Sequence, residues 1–270
     1  MASSKETTEL TVLAAAAHPD DIEFMMAGTL LLLKQAGAKI HIWNVANGSH
    51  GTATHTTEDI VRLRWAEAQE SAKLAGATMH PPITDDLDVF YEPAIVATAA
   101  AIVRTVKPNI MLIPSLQDYM EDHMNTGRIL VTAAFVRAMR NFITIPETPT
   151  WEGETVLYHA LPYGLRDGMR RLIRSELYVN ITSVLDLKRR MLAQHRTQKE
   201  WLDVSQGLDA YLNQMADMSR QVGKLTGRFE YAEGWRRHSH LGFGGPDYNP
   251  LPKLLKDACW ADPEYERLLG

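Results

Sequence analysis

One histidine and two adjacent aspartates directly follow the first apolar segment of the chain. Residues 12–17 run into His18, Pro19, Asp20 and Asp21, so three side chains that can bind a metal lie within four residues. In α/β proteins, ligands and catalytic groups collect at the carboxyl ends of strands. A helix N-cap would account for one aspartate, but not for the second aspartate and the histidine. The pattern therefore favours a metal or catalytic site.

A second group of polar side chains follows another apolar segment, residues 109–114, and includes Ser115, Asp118, Tyr119, Glu121, Asp122 and His123. If segments 10–17 and 109–114 are neighbouring parallel strands, their carboxyl ends meet at one edge of the sheet. Taken singly, a histidine in either segment is more often an ordinary surface or core residue. The prediction of a shared site therefore rests on the two groups occurring together.

His18, Asp21 and His123 together would supply three ligands and leave a fourth position open on a zinc ion, as in catalytic zinc sites. Histidine and carboxylate ligands also suit iron or cobalt. Asp20 would stay free to accept a proton from water. Cys259 is the only cysteine, which excludes a cysteine-based zinc cage and an intramolecular disulfide.

Apolar patterning and turn residues predict alternating strands and helices in the first two-thirds of the chain. The predicted strands span residues 10–17, 39–46, 109–114, 155–161 and 176–181. The predicted helices span residues 22–36, 58–75, 92–106, 184–202 and 208–225. Residues 47–52 and 234–252 are rich in turn residues and predict loops. The alternation indicates an α/β fold with a mostly parallel sheet flanked by helices.

Length and composition are those of a globular protein. With 270 residues, of which 45% are hydrophobic and 23% charged, one domain over residues 1–270 is expected, with a helical and loop-rich part from about residue 183. A net charge of -5 without a basic stripe argues against nucleic acid as a partner. The chain lacks an apolar run of the ~18 residues that a membrane span needs, and its first ten residues lack a signal-peptide core. A cytoplasmic location is therefore expected.

The motif Ala-His-Pro-Asp-Asp-Ile-Glu at residues 17–23, followed later by Asp122 and His123, resembles the LmbE/PIG-L-like zinc-dependent deacetylases. Further likenesses are the glycine-containing loop 47–51, a helix with Arg64 and Glu67, and the late Lys188 and segment 195–198. The resemblance implies a Rossmann-like three-layer fold and hydrolysis of an N-acyl amide, commonly on N-acetylglucosamine. It also implies that His18, Asp21 and His123 bind zinc and that Asp20 is the general base.

The chain departs from this family at Met120. Many members have a histidine there that helps to stabilise the oxyanion or donates a proton, and a thioether does neither. Three alternatives stay open: the role moves to Tyr119, His50 or His195, it is unnecessary, or its absence marks reduced activity.

Further candidates for contacts to substrate are Arg64, His50, Asp88, Tyr119, Asp122 and His195. Each has a plainer alternative. Arg64 can pair with Glu67 one helical turn away, Asp88 can be a solvated loop carboxylate, and His195 can be a packing residue of its helix.

Two functions are therefore predicted as alternatives. The first is a metal-dependent hydrolase that removes an acyl group, acetyl by expectation, from an amino-sugar-type substrate, with Zn²⁺ or another divalent metal as cofactor. The second is a sugar- or metabolite-binding protein on the same fold with impaired catalysis, as Met120 indicates. The aromatic region 229–248 either stacks on a sugar or contacts another subunit in a homo-oligomer.

Overall fold

A computed structural model describes residues 10–200 and 209–269 of the chain. Its eight strands are β1 Thr11–Ala16, β2 Lys39–Asn44, β3 Thr78–His80, β4 Ile110–Ile113, β5 Val156–Ala160, β6 Leu177–Asn180, β7 Ala232–Arg237 and β8 Cys259–Ala261. They form one sheet in the order β3-β2-β1-β4-β5-β7-β6-β8. The first five strands in this order are mutually parallel, and the pairs that involve β7, β6 and β8 are antiparallel.

The α-helices that flank the sheet are α1 Asp21–Met25, α2 Ala27–Gln35, α3 Thr57–Leu74, α4 Pro93–Val106, α5 Glu121–Phe135, α6 Leu185–Leu192, α7 Ala210–Thr226, α8 Pro250–Leu255 and α9 Pro263–Leu268. A further helical segment covers residues 196–200. The single helix predicted over residues 22–36 is two helices, because Met26 between them has φ −132° and ψ −23°.

Alternate side chains of β1 face two different hydrophobic layers, as expected for a strand buried on both faces. Val12 and Ala14 point into the layer that contains Leu30 of α2. Leu13 packs in the opposite layer, which contains Val103 of α4. Helices therefore cover both faces of the sheet, and the predicted three-layer α/β fold is confirmed.

The relation between β1 and β4 determines where the site lies. The two strands are parallel neighbours, with Val12 opposite Ile110 and Ala14 opposite Leu112. Their carboxyl ends therefore meet at one edge of the sheet, as the sequence predicted. The chain leaves both strands there and enters α1 and α5 through short loops.

The prediction of a loop over residues 234–252 is wrong at its start and its end, where β7 and α8 lie. Strand β7 lies between β5 and β6 although it contains a glycine and charged residues. The packing around it explains this: a Cβ at Gly234 would lie 2.2 Å from Ser175 Oγ, and Glu233 accepts the backbone N–H groups of Gly28 and Thr29. Tertiary contacts outweigh the low strand propensity of this segment.

Three smaller differences concern helices. The polar segment after β4, predicted as a loop, becomes helical at Glu121, where acidic residues in the first turn favour a helix N-terminus. The ends of two predicted helices, residues 201–202 and residue 208, lie outside the described residues. No described helix has the length and apolar character that a membrane crossing needs.

Candidate active site

The backbone turns sharply between β1 and α1. Asp20 has φ 103° and ψ −27°, in the left-handed region, and its side chain makes no cap hydrogen bond to α1. The backbone N–H of His18 instead donates to Asp21 Oδ2 over 2.8 Å. Non-glycine residues in this region are strained and occur preferentially at functional sites. The turn makes Asp20 and Asp21 face different surroundings.

His18, Asp21 and His123 come together as a cluster in which one ligand atom of each lies within 4.8 Å of the others. His18 Nδ1 lies 3.5 Å from Asp21 Oδ2, and His123 Nε2 lies 3.4 Å from Asp21 Oδ1. Two atoms bound tetrahedrally to one zinc ion at about 2 Å are roughly 3.3 Å apart. These donor atoms are therefore suited to hold a small divalent cation.

The second ring nitrogen of each histidine faces another carboxylate. His18 Nε2 lies 2.8 Å from Asp122 Oδ2, and His123 Nδ1 lies 3.2 Å from Asp118 Oδ1. Carboxylates in this position fix the tautomer and the orientation of metal-binding histidines. The pairs thus leave His18 Nδ1 and His123 Nε2 directed at Asp21.

The charges of the cluster favour a cation. Burial disfavours the charged form of His18, but hydrogen bonds with Asp122 and Asp21 outweigh it and raise the pKa of His18 to about 10. Burial would raise the pKa of the Asp21 carboxyl, yet His123 and His18 hold it below its usual range. The same negative charges that favour the protonated form of His18 would attract a divalent cation.

Asp20 is buried beside this cluster in a different environment. Burial raises the pKa of the Asp20 carboxyl, and the neighbouring Asp21 adds to the effect, although Arg64 opposes it. Tyr211 Oη donates to Asp20 Oδ2 over 2.5 Å, and Arg64 Nη2 lies 3.7 Å from the same oxygen. The two aspartates are therefore adjacent in sequence but differ in their partners.

A cavity of about 420 Å³ opens above these residues and is lined by His18, Asp20, Asp21, Phe24, Met25, His50, Gly51, Arg64, Asp86, Leu87, Tyr119, Met120, His123, Tyr163, Gln198, Tyr211 and Gln214. Of the substrate-contact candidates, His50, Arg64 and Tyr119 line it. Asp122 lies behind His18, and Asp88 is exposed outside the cavity. Met120 lies on the cavity wall, close to His123 in sequence.

His195 lies behind the cavity wall. It is fully buried, and its Nε2 is 3.2 Å from Glu23 Oε1, which also accepts from Ser71 Oγ. Burial disfavours the charged imidazolium, but Glu23 raises the pKa of His195 above its usual value. His195 is not among the residues that line the cavity, which matches the packing alternative.

Arg64 links three segments around Asp20 rather than pairing with Glu67. Its Nη2 donates to Pro19 O over 3.2 Å and to Gln198 Oε1 over 2.8 Å. Glu67 instead accepts the N–H and hydroxyl of Thr197. A Cβ at Gly48 would lie 2.5 Å from Arg64 Cδ, and Gly48 has φ 83°, so both the Arg64 side chain and the backbone of this loop favour glycine.

Two other sequence candidates are structural. Lys188 is fully buried and donates to Glu233 Oε1 over 2.7 Å. Trp235 is also fully buried and donates through Nε1 to Thr29 Oγ1. The part of region 229–248 that contains Trp235 therefore belongs to the core, and this indole cannot stack on a ligand.

Three residues that line the cavity could not be predicted from the sequence: Tyr211, Tyr163 and Gln214. Tyr211 lies in the amphipathic pattern of α7, where a tyrosine is indistinguishable from a core residue. Asp86 also lines the cavity, and its carboxylate accepts the backbone N–H groups of Gly48 and His50. The segment Asp85-Asp86-Leu87-Asp88 offers three carboxylates, and the sequence does not show which of them faces inward.

One family model matches the first half of the chain. Residues 13–134 match the family model described as PIG-L: GlcNAc-PI de-N-acetylase. The resemblance to the LmbE/PIG-L-like deacetylases is thereby confirmed. The matched segment contains His18, Asp20, Asp21 and His123, whereas Tyr211 lies beyond it.

Solved structures with the same fold include several deacetylases. The N,N'-diacetylchitobiose deacetylase from Pyrococcus horikoshii is 21% identical over 89% of this chain and 88% of that chain, with a TM-score of 0.72. The zinc-inhibited form of teicoplanin deacetylase Orf2 is 13% identical, and the match covers 84% of this chain and 97% of that chain with a TM-score of 0.63. A different enzyme, the 4-carboxy-2-hydroxymuconate hydratase GalB from Pseudomonas putida KT2440, is 20% identical. The match covers 84% of this chain and 95% of that chain, with a TM-score of 0.65. At such identities these structures establish the fold, and the reaction must be argued from the site.

Proposed function

We propose that this protein is a metal-dependent hydrolase that removes an acyl group, acetyl by expectation, from the nitrogen of an amino-sugar-type substrate. The observation that carries the proposal is the grouping of His18, Asp21 and His123 at the cavity wall with Asp20 beside them. The family match over residues 13–134 and the deacetylases of the same fold support it.

The donor set fits a divalent cation, with His18, Asp21 and His123 as the residues that would hold it. Two histidines and one carboxylate form a common three-ligand set of catalytic zinc sites. A divalent cation in such a site polarises a carbonyl group and lowers the pKa of water.

Asp20 supplies the proton transfer in this proposal. Hydrolysis adds water across the C–N bond, and one proton must pass from water to the departing amine. Asp20 is in the cavity wall, and burial raises its pKa, which moves a carboxyl toward the range of an efficient general base and acid. Its proposed role is to take the proton from water and to return it to the nitrogen.

The cavity has the size and lining of a small-molecule site. Its volume of about 420 Å³ lies within the roughly 300–1,000 Å³ of such sites. Tyr119 and Tyr163 provide aromatic surface with polar tips, and Arg64, Asp86 and Gln198 provide polar groups. This combination suits a sugar ring, which presents apolar faces and hydroxyl edges.

A binding protein without turnover is the second candidate, and the observation that favours it is Met120 in the cavity wall. In a hydrolase with this site, the developing oxyanion would rely on the divalent cation and on any other donor that reaches it. The experiment below separates the two functions.

The test is acyl release by metal-loaded protein. The purified chain is stripped with a chelator and reloaded with zinc, cobalt or iron, and acetate and primary amine are measured with free and conjugated N-acetylglucosamines. We expect release only after reloading, and loss of it in the Asp20→Asn protein. The matched control is Asp257→Asn, at an exposed position in another part of the fold. Absence of release from every N-acyl compound, together with calorimetric binding of one of them, would contradict the hydrolase and support the binding protein.

A further inference from the structure

The Asp20 carboxylate is held on one side only. Tyr211 Oη donates to Oδ2 over 2.5 Å, and Arg64 Nη2 approaches the same oxygen at 3.7 Å. Within residues 10–200 and 209–269, no group donates a hydrogen bond to Oδ1. The two carboxylate oxygens therefore differ in their surroundings: Oδ2 accepts the hydrogen bond of Tyr211 and lies near the Arg64 guanidinium, whereas Oδ1 has no donor among the described residues.

Tyr211 is itself fixed in position. It is 2% exposed, and its ring packs against Phe24 with centroids 5.1 Å apart. It is carried by α7, a helix of 17 residues that also packs against β7 and α6. The phenol thus approaches Asp20 from a well-supported element that lies 191 residues away in sequence.

We propose that Tyr211 is a positioning residue for the reaction, which orients Asp20 by binding Oδ2 so that proton transfer takes place at Oδ1. This inference rests on the proposed hydrolase function and adds a residue outside the segment that matches the family model. Orientation of the base matters because proton transfer requires the acceptor within hydrogen-bond reach and aligned with the donor. Without the phenol, the Asp20 carboxylate would be free to rotate about its Cβ–Cγ bond. Asp20 makes no side-chain cap hydrogen bond to α1 that could hold the carboxylate instead.

The test is the Tyr211→Phe substitution, which removes the hydroxyl and keeps the ring that packs on Phe24. We expect kcat to fall roughly 10- to 100-fold, the range found when a supporting hydrogen bond to a site residue is lost. KM, metal content and thermal unfolding should stay near those of the wild type, because Tyr211 acts through Asp20 and not through substrate or metal.

Tyr158→Phe is the matched control. Tyr158 is also fully buried, and its hydroxyl likewise donates over 2.5 Å, to Asn249 Oδ1, but it does not line the cavity. This variant should leave kcat unchanged, and its thermal unfolding shows how much stability the loss of a buried hydroxyl costs by itself. Equal kcat in wild type and Tyr211→Phe would overturn the inference, as would a rise in KM without a fall in kcat.

A double-mutant cycle tests whether Tyr211 acts through Asp20. In the Asp20→Asn background, Tyr211→Phe should cause no further loss of kcat, because residues that act as one unit are non-additive. An additional loss of the same size would overturn the positioning role, since it would mean that the phenol touches the substrate itself.

A crystal structure of the Tyr211→Phe protein supplies a readout that does not depend on turnover. We expect the Asp20 carboxylate to turn away from its wild-type orientation, and an unchanged orientation would contradict the inference. If wild-type protein releases no acyl group, the proposed function fails, and this structural comparison still decides whether Tyr211 orients Asp20.

Discussion

His18 Nε2 and Asp122 Oδ2 lie 2.8 Å apart, and Asp122 Oδ2 also accepts the backbone N–H of Leu87 over the same distance. One carboxylate oxygen thus connects the end of β1, the loop before α4 and the first turn of α5. This connection fixes the His18 ring so that Nδ1, rather than Nε2, faces Asp21. The orientation of a proposed metal ligand therefore depends on a residue that does not line the cavity.

Replacement of Asp122 should weaken metal binding without unfolding the protein. In Asp122→Asn, the amide no longer fixes the His18 tautomer, and we expect a 10- to 100-fold loss of metal affinity. Competition with a chromogenic chelator measures it. Glu121→Gln is the matched control because Glu121 lies in the same helical turn but is exposed. Equal affinity in Asp122→Asn and wild type would contradict the role of Asp122.

The site illustrates what the sequence can and cannot predict. The ends of strands can be predicted from the sequence because apolar segments end abruptly. The proximity of His18 and His123 then followed from the prediction that their two strands are parallel neighbours. Hydrogen-bond partners from distant segments cannot be predicted in this way. Tyr211 contacts Asp20 from a helix whose sequence pattern predicts only that one face is apolar. Strand β7 was missed for a similar reason, because Gly234 and Glu233 are explained by contacts with Ser175 and α2 rather than by local propensity.

Tyr119 is expected to replace the donor that Met120 cannot provide. Tyr119 and His50 line the cavity while His195 does not, and the Tyr119 ring packs edge-on against His123 with centroids 5.7 Å apart. Loss of an oxyanion donor commonly costs ~10²-fold or more in kcat, and Tyr119→Phe should show such a loss.

Two variants complete the test of Tyr119. Tyr91→Phe is the control, since Tyr91 is similarly exposed but its hydroxyl pairs with Thr132, and its kcat should be unchanged. A large loss in His50→Ala with full activity in Tyr119→Phe would assign the donor to His50 instead.

His195 should matter for stability rather than for the chemical step. His195→Phe leaves the buried Glu23 carboxylate without its imidazolium partner, and breaking a buried ion pair typically costs about 3–5 kcal/mol. Urea unfolding measures the loss, and Glu23→Gln in the same background should restore part of it. Normal stability with a strong loss of kcat would show instead that His195 takes part in catalysis.

Acid should destabilise the protein through His159. Burial lowers the pKa of His159 to about 4, below the usual value of 6.5 that applies in the unfolded chain. Between these values the unfolded state binds more protons, so the free energy of unfolding falls as the pH drops from 6.5 towards 4. At pH 5 the contribution of this group amounts to a loss on the order of 2 kcal/mol.

Urea unfolding at pH 7 and pH 5 tests this contribution. Wild type should lose more stability on acidification than His159→Asn, while the exposed His55→Asn should behave like wild type. The same loss in all three proteins would contradict the assignment to His159.

The most direct test of the central claim is the metal content of four proteins, measured by elemental analysis together with their turnover. Wild type should hold about one divalent ion per chain, as one three-ligand site predicts. Asp20→Asn should hold the same amount and lose turnover by roughly 10²–10⁴-fold, because asparagine tolerates the left-handed backbone at this position but accepts no proton. His18→Ala and Asp21→Asn should lose the metal. Unchanged metal content in His18→Ala and Asp21→Asn, or loss of metal in Asp20→Asn, would contradict the separation of metal ligands from the base.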